Sequence, residues 1–244
     1  MLPKIDVPIY ETSLISSGQK INFRPFLVKE QKLFLMASQS EDVKDMISSI
    51  KQVINNCVLS DIDVDSLSTF DLEYIFLQLR ARSVNEIVNL KYNCNNKIKN
   101  DKDEEKECGN VVDFDLNLLE IEPTKFDSHT NKIELNENLG VVMKYPTFTM
   151  MDKLNLQSND MDQILDVIIN CIDYIYDKDN LYYAKDSTKE ELVEFIESMQ
   201  QTDLEKIQQF FDTLPKLKKE LDFNCNKCGY HEKITVEGIQ SFFG

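Results

Sequence analysis

The sequence predicts an α+β fold: an N-terminal hairpin and helices, a ribbon-like β element assembled from two distant cysteine half-sites, and an inserted helical lobe. Three observations carry this reading. Hydrophobic spacing switches repeatedly between a period of two and one near 3.6, so strands and helices are interleaved. Four of the six cysteines fall in two similar segments more than a hundred residues apart. No Gly-, Pro- or Ser-rich linker divides the 244 residues, and 42% of them are hydrophobic, enough to bury a sizeable core.

Residues 10–15 and 20–24 read as a hairpin around Ser16, Ser17, Gly18 and Gln19. Pro25 has no N–H to donate and ends the second strand. From Val28 the period becomes helical, through Leu33, Met36 and Ala37 and then through Val43, Ile47, Ile50, Ile54 and Val58. A third helix is predicted over 68–81, with Leu72, Ile75, Phe76 and Leu79 toward the core. Asp61, Asp63 and Asp65 have the spacing of a calcium loop. Ser66 stands at its turn position and Leu72 at its bidentate acid position, so the segment reads instead as a helix approach with capping acids.

Two-residue alternation returns at Val88, Leu90 and Tyr92 and again at Val112, Phe114, Leu116 and Leu118. Between them, residues 95–107 hold four lysines and five acids and read as a solvated loop. Ile133 and Leu135, then Val141, Met143 and Tyr145, predict a hairpin around 136–140. Helices are expected over 159–176 (Ile164, Leu165, Ile168, Ile172, Ile175), over 188–199, and over 204–221 with a bend at Pro215. A last strand covers 233–236. The domain organisation that follows is 1–93 for the hairpin and helices, 94–126 with 221–244 for the two halves of the ribbon, and 127–220 for the inserted hairpin and acidic helical lobe.

The cysteines carry the chemistry. One segment runs Leu90, Lys91, Tyr92, Asn93, Cys94, Asn95 and, after the charged insert, Cys108-Gly109. The other runs Leu221, Asp222, Phe223, Asn224, Cys225, Asn226, Lys227, Cys228-Gly229. Each is apolar–x–aromatic–Asn–Cys–Asn, then Cys–Gly, then an alternating strand. A C-x-x-C-G knuckle turns the backbone tightly, with Gly relieving the turn, and offers two thiolates to one metal ion. Tetrahedral closure needs two more, and the first segment supplies them. The expected site is a structural zinc held by Cys94, Cys108, Cys225 and Cys228, with no open position for water or substrate. His231 is an alternative fourth ligand, and reduced thiols or a ribbon without metal are the plain alternative. A redox reading of Cys225 and Cys228 would need the motif to open a helix, whereas a strand follows. Cys57 and Cys171 lie on apolar helix faces and read as core thiols. His129 reads as a surface loop residue.

Composition excludes more than it selects. Lys and Arg total 27 against 43 Asp and Glu, a net charge of −16. Such a surface repels nucleic-acid phosphates and anionic membranes. The stretch 152–222 holds 17 acids against eight lysines, so more than half of the excess sits in the predicted lobe. No basic and apolar leader opens the chain, no apolar run is long enough to span a membrane, and a reducing compartment is expected. The six glycines form no phosphate-binding or nucleophile-elbow motif, and no acid/base pair stands out. Arg80 and Arg82 end a helix, where they favour its dipole. A small-molecule substrate and enzymatic activity are therefore not expected.

Further strings resemble a known family. Leu2-Pro3, Val7-Pro8-Ile9-Tyr10-Glu11, Ser17-Gly18 and Ile21-Asn22-Phe23-Arg24-Pro25-Phe26-Leu27-Val28-Lys29-Glu30-Gln31-Lys32 are similar to the opening of T4-type phage baseplate hub proteins. Phe70-Asp71-Leu72-Glu73-Tyr74-Ile75-Phe76-Leu77-Gln78-Leu79-Arg80-Ala81-Arg82-Ser83 resembles that family as well, as does the Cys–Gly ribbon after it. The resemblance implies a non-enzymatic, structural or chaperone-like role in building the contractile-tail baseplate hub. Its implied partners are other hub or tail proteins, met in the host cytoplasm during assembly and in the baseplate of the virion. A zinc-ribbon regulator binding a polymerase or nucleic acid is the competing expectation, and the acidity weighs against it.

Overall fold

Alternation near the N-terminus produces a hairpin in which β1 (Tyr10–Ser13) pairs antiparallel with β2 (Lys20–Phe23). The computed structural model describes residues 5–38, 43–99, 105–124, 126–153 and 161–238. The expectations placed on the side chains of Met36, Ala37 and Val43, and on residues 159–160, lie outside the described residues. Three helices follow the hairpin: α1 (Val28–Ser38), α2 (Val43–Cys57) and α3 (Thr69–Ser83). Ile21 and Phe23 of the hairpin pack on Ile50 and Ile54 of α2 and on Leu72, Ile75, Phe76 and Leu79 of α3. Of the acids before α3, Asp63 caps as expected, while Asp65 pairs with Lys51 at 2.8 Å. The Asp63 side chain accepts from the Asp65 N–H and starts a 3-10 turn, and Ser68 accepts from the Asp71 N–H at the start of α3.

Two longer two-stranded ribbons, one before and one after the lobe, and a short pair inside the first make up most of the remaining strands. β3 (Ile87–Asn93) is followed by the short pair β4 (Lys97–Lys99) and β5 (Glu105–Glu107), and then by β6 (Val111–Asn117), which pairs with β3. The lobe comes next, with β7 (Lys132–Glu134), β8 (Gly140–Met143), α4 (Phe148–Lys153) and α5 (Met161–Asn170). It continues through β9 (Ile172–Tyr176), β10 (Leu181–Tyr183), α6 (Lys189–Glu197) and α7 (Gln201–Asp212). The chain then makes the second ribbon from β11 (Lys218–Asn224) and β12 (His231–Glu237).

Strands β10, β9, β8 and β7 lie side by side in that order as one antiparallel sheet. Helices cover it, burying Ile133, Val141, Ile168, Ile172, Leu192, Ile207 and Phe210 together. The lobe enters and leaves through a neck, where Pro123 bridges Leu217 and the Thr124 N–H donates to the Lys216 carbonyl at 2.9 Å. A second joint ties it to the N-terminal helices. Ser68 bridges Thr147, Lys51 Nζ reaches Thr149 Oγ1 at 2.7 Å, and Phe70 packs edge-on against Tyr145 with centroids 5.0 Å apart.

The α+β class stands, and three elements differ from the spacing. The helix expected over 159–176 stops at Asn170, and Ile172–Tyr176 is the strand β9. Ile172 and Ile175 continue the three-residue spacing of the helix, yet the β-branched and aromatic run IDYIY suits a pleated sheet better. The helix expected to bend at Pro215 ends before it, and Lys218–Asn224 is the strand β11. A proline with no N–H ends the helix, and pairing with β12 overrides the helical preference of the Lys-Lys-Glu-Leu run. The insert read as a solvated loop folds in part, as the β4–β5 pair. No helix among the described residues is long and apolar enough to cross a membrane.

Candidate metal centre

Both ribbons end in the same turn, and the turns face each other. β3 runs from Asn93 into Cys94 and β6 is entered after Cys108, Gly109 and Asn110. β11 runs from Asn224 into Cys225 and β12 is entered after Cys228, Gly229 and Tyr230. In the first turn the Cys94 N–H donates to the Asn110 carbonyl at 2.8 Å and the Gly109 N–H to the Cys94 carbonyl at 3.0 Å. The second turn repeats this with Cys225 to Tyr230 at 2.8 Å and Gly229 to Cys225 at 2.9 Å. Gly109 and Gly229 sit at φ 62° and 73°, the left-handed region that a side chain disfavours. The thirteen-residue insert is accommodated because β4 and β5 zip Lys97 opposite Glu107, and the Cys108 N–H closes on the Asn96 carbonyl at 2.8 Å.

The four sulfurs meet at the apex. All lie within 4.8 Å of one another, with Cys94 Sγ 3.7 Å from Cys228 Sγ and Cys108 Sγ 3.7 Å from Cys225 Sγ. Each of these close pairs joins one ribbon to the other. A disulfide would need ~2.05 Å. A tetrahedron of thiolates at ~2.3 Å from a central ion has edges of ~3.8 Å, so the spacing fits a four-thiolate metal site. Tetrahedral S4 is the donor set that zinc and iron–sulfur centres select. Polar donors surround the sulfurs: Asn96 Nδ2 lies 3.6 Å from Cys228 Sγ, and Asn110 Nδ2 lies 3.6 Å from Cys225 Sγ. Lys227 Nζ donates to the Cys108 carbonyl at 2.9 Å and pins the facing knuckles.

Burial pushes the Cys94 thiol up to about 12 and raises Cys108 as well. Burial opposes ionisation of Cys225 too, yet the Cys228 and Lys227 backbone N–H groups and the neighbouring thiols outweigh it and bring Cys225 down to about 6. A metal bound to all four sulfurs would take them as thiolates, so its binding would release protons and weaken as pH falls. Phe223, Tyr230, Phe114 and Ile98 pack around the cluster, burying Cys94, Cys108 and Cys225 and leaving Cys228 partly exposed. Four protein donors fill a tetrahedral shell, which suits the site to holding chain segments together.

The other candidate residues lie elsewhere. His231 opens β12 opposite Asn224 and is not part of the sulfur cluster. Cys57 is buried in the N-terminal core and Cys171 in the core of the lobe, with burial pushing their thiols to about 11 and about 12. Arg80 and Arg82 occupy the last turn of α3, and the Arg82 guanidinium stacks 4.9 Å from the Tyr10 ring centroid.

His129 is a correction, because it is packed instead of standing free in a loop. Its ring lies near-parallel against both Tyr145 and Phe210, which also contact each other, with Nδ1 2.9 Å from Thr213 Oγ1 and Nε2 3.2 Å from the Tyr145 hydroxyl. The Thr213 hydroxyl donates to the Gln209 carbonyl at 2.7 Å, so Nδ1 carries the proton and Nε2 accepts from Tyr145. Its partners are 16 and 84 residues away, a separation that no local pattern signals.

Two polar groups of the recognised strings turn out to be structural. Glu30 is fully buried, pairs with Arg24 at 3.0 Å and accepts from the Leu27 N–H at 2.9 Å. Asp71 accepts from the Ile15 and Ser16 N–H groups and so fixes the hairpin to α3. A family model described as T4 bacteriophage base plate protein matches residues 7–244. No curated protein sequence and no solved structure gives a significant match. The match spans both ribbons, the lobe between them and the strings around Arg24 and Asp71, and the chain belongs to the T4 bacteriophage base plate protein family.

Proposed function

We propose that the protein is a non-enzymatic component or assembly factor of the baseplate hub, acting through contacts with other hub or tail proteins. Family membership over residues 7–244 is the observation that carries this reading. The four-sulfur cluster supports it in one respect: a metal there would be enclosed by protein ligands and would brace a scaffold. We assign zinc to Cys94, Cys108, Cys225 and Cys228. Its chemistry there is to bind four thiolates and hold the two ribbon tips together. On this reading the protein works in the host cytoplasm while tails assemble, and as a hub component it would stay in the baseplate of the virion.

Removing the gene from the phage tests the role. Tails without complete baseplates are expected by electron microscopy, and normal tails would overturn the reading. Mass spectrometry of finished particles against assembly intermediates then separates a hub component, found in both, from an assembly factor, found only in intermediates. Atomic emission tests the metal. Near one zinc per chain is expected in wild type and its loss in Cys228→Ser, whereas folded wild-type protein free of metal after zinc-replete expression would refute the assignment.

A further inference from the structure

The acidic lobe carries an apolar groove that its own described residues leave open. It runs between α5 and α7, encloses about 430 Å³, and is lined by Ile164, Leu165, Val167 and Ile168 from one helix and by Leu204 and Phe211 from the other. Its floor is continuous with the core, since Ile168 is buried and Phe211 packs edge-on against Phe210 at 5.1 Å. Its mouth faces solvent, with Ile164 49% exposed. Leu204, Gln208 and Phe211 follow the i, i+4, i+7 positions of one helix face. The groove is therefore aligned with α7, a shape that receives a second helix lengthwise.

Charge selects the occupant. The α5 sequence MDQILDVIIN contains no lysine or arginine. α7 contains only Lys206, whose ammonium is committed to the Glu134 and Leu135 carbonyls and to Asp203. Glu205 and Asp212, both exposed, lie three residues before and four residues after the lining residue Gln208 on α7, the helical spacing that sets side chains next to one another. A second copy would bring the same acids against these, and like charges across an interface are costly. We infer that this groove is the docking site for a basic amphipathic helical segment of another protein, with aliphatic or aromatic anchors at i, i+4 and i+7 and lysines or arginines beside them. The inference rests on the protein–protein role proposed above and assigns it a surface.

The test uses purified full-length protein and two synthetic amphipathic helices with the same leucine anchors, one flanked by lysines and one by glutamates. Fluorescence anisotropy should show the lysine peptide binding 1:1, with affinity falling as salt is raised. Ile164→Asp, at a half-exposed position and checked for an unchanged melting curve, should weaken it about tenfold or more. Glu205→Lys with Asp212→Lys should weaken it roughly three- to tenfold while leaving the apolar lining intact. Equal binding of the glutamate peptide, or binding indifferent to Ile164→Asp, would overturn the proposal. So would a dimer in sedimentation equilibrium that Ile164→Asp dissolves, because the occupant would then be a second copy. Normal tails without the gene would withdraw the hub role and leave the peptide result standing. Defective tails with no peptide binding would remove the groove alone.

Discussion

Asp71 ties the end of the N-terminal hairpin to the start of α3 with one carboxylate. It is buried to 1% exposure, its Oδ1 accepts from Ile15 N at 2.6 Å and Ser16 N at 3.1 Å, and its Oδ2 accepts from the Ser68 hydroxyl at 2.7 Å. Its place in the first turn of α3 adds the favourable helix dipole. Asp71→Ala would strand two backbone N–H groups, so urea unfolding should show a loss of roughly 2–4 kcal/mol. Asp71→Asn keeps an acceptor for the amides and should lose about half as much. Equal, small losses would show that water replaces the carboxylate. Two residues on, Glu73 has the opposite character. Burial, then the Glu237 carboxylate, pushes it from an ordinary 4.5 up to about 7, although Lys216, 3.8 Å from Glu237, softens that repulsion. The folded state keeps the Glu73 proton longer than the unfolded chain does. Its contribution is therefore full below about 4.5 and is lost as pH rises through about 7. Glu73→Gln should stabilise the protein by roughly 1–2 kcal/mol above pH 8 and hardly at all near pH 4. A mutant effect independent of pH would contradict this.

At the scale of elements, two glycines separate two causes. Gly229 holds a left-handed turn at φ 73° with nothing within 4 Å of where a Cβ would stand, so Gly229→Ala strains the backbone without a clash. Gly140 opens β8 against β9, and a Cβ there would overlap the Tyr176 ring and approach the Ile133 carbonyl oxygen to 2.7 Å. Thermal unfolding should place Gly229→Ala about 1 kcal/mol below wild type and Gly140→Ala about 2–4 kcal/mol below. The reverse order would mean that the start of β8, between β7 and β9, yields more easily than the knuckle. The same contrast governs what was legible in the sequence. The repeated Cys–Gly segments disclosed the metal-competent site because their chemistry requires that local pattern, including glycines at φ 62° and 73°. The helix 188–199 was legible from its spacing, and its capping box between Thr188 and Glu191 confirms the start. Illegible were β9 and β11, whose identity is decided by distant partners: β9 pairs with β8, and β11 pairs with β12 across the turn at Cys225. The ends of the His129 network, at Tyr145 and Thr213, were hidden for the same reason.

On the scale of the molecule, closure is the organising fact. Cys94 to Cys228 spans the β4–β5 insert, the neck and the whole lobe, and the closest sulfur pairs are those that cross from one ribbon to the other. The ribbons share more than the sulfurs: Leu90, Leu116, Leu217 and Val236 pack with Leu77 of α3 in one core. A metal ion at the apex would therefore act on both ribbons and on the neck beneath them, while the N-terminal core around Ile50 and Phe76 stands on its own contacts. Stripping the metal with a strong chelator should accordingly produce an ordered loss of amide protection in hydrogen exchange. β3, β6, β11 and β12 should open together and first, the neck at Thr124 next, and α2 and α3 last. Cys94→Ser and Cys228→Ser should give the same pattern and the same fall in melting temperature, roughly 10 °C, because either substitution breaks a tetrahedron shared by both half-sites. If Cys228→Ser opened only β11 and β12 and left β3 and β6 protected, the two knuckles would be independent turns that happen to face each other. Equal opening from either end is the outcome that a single four-sulfur closure requires.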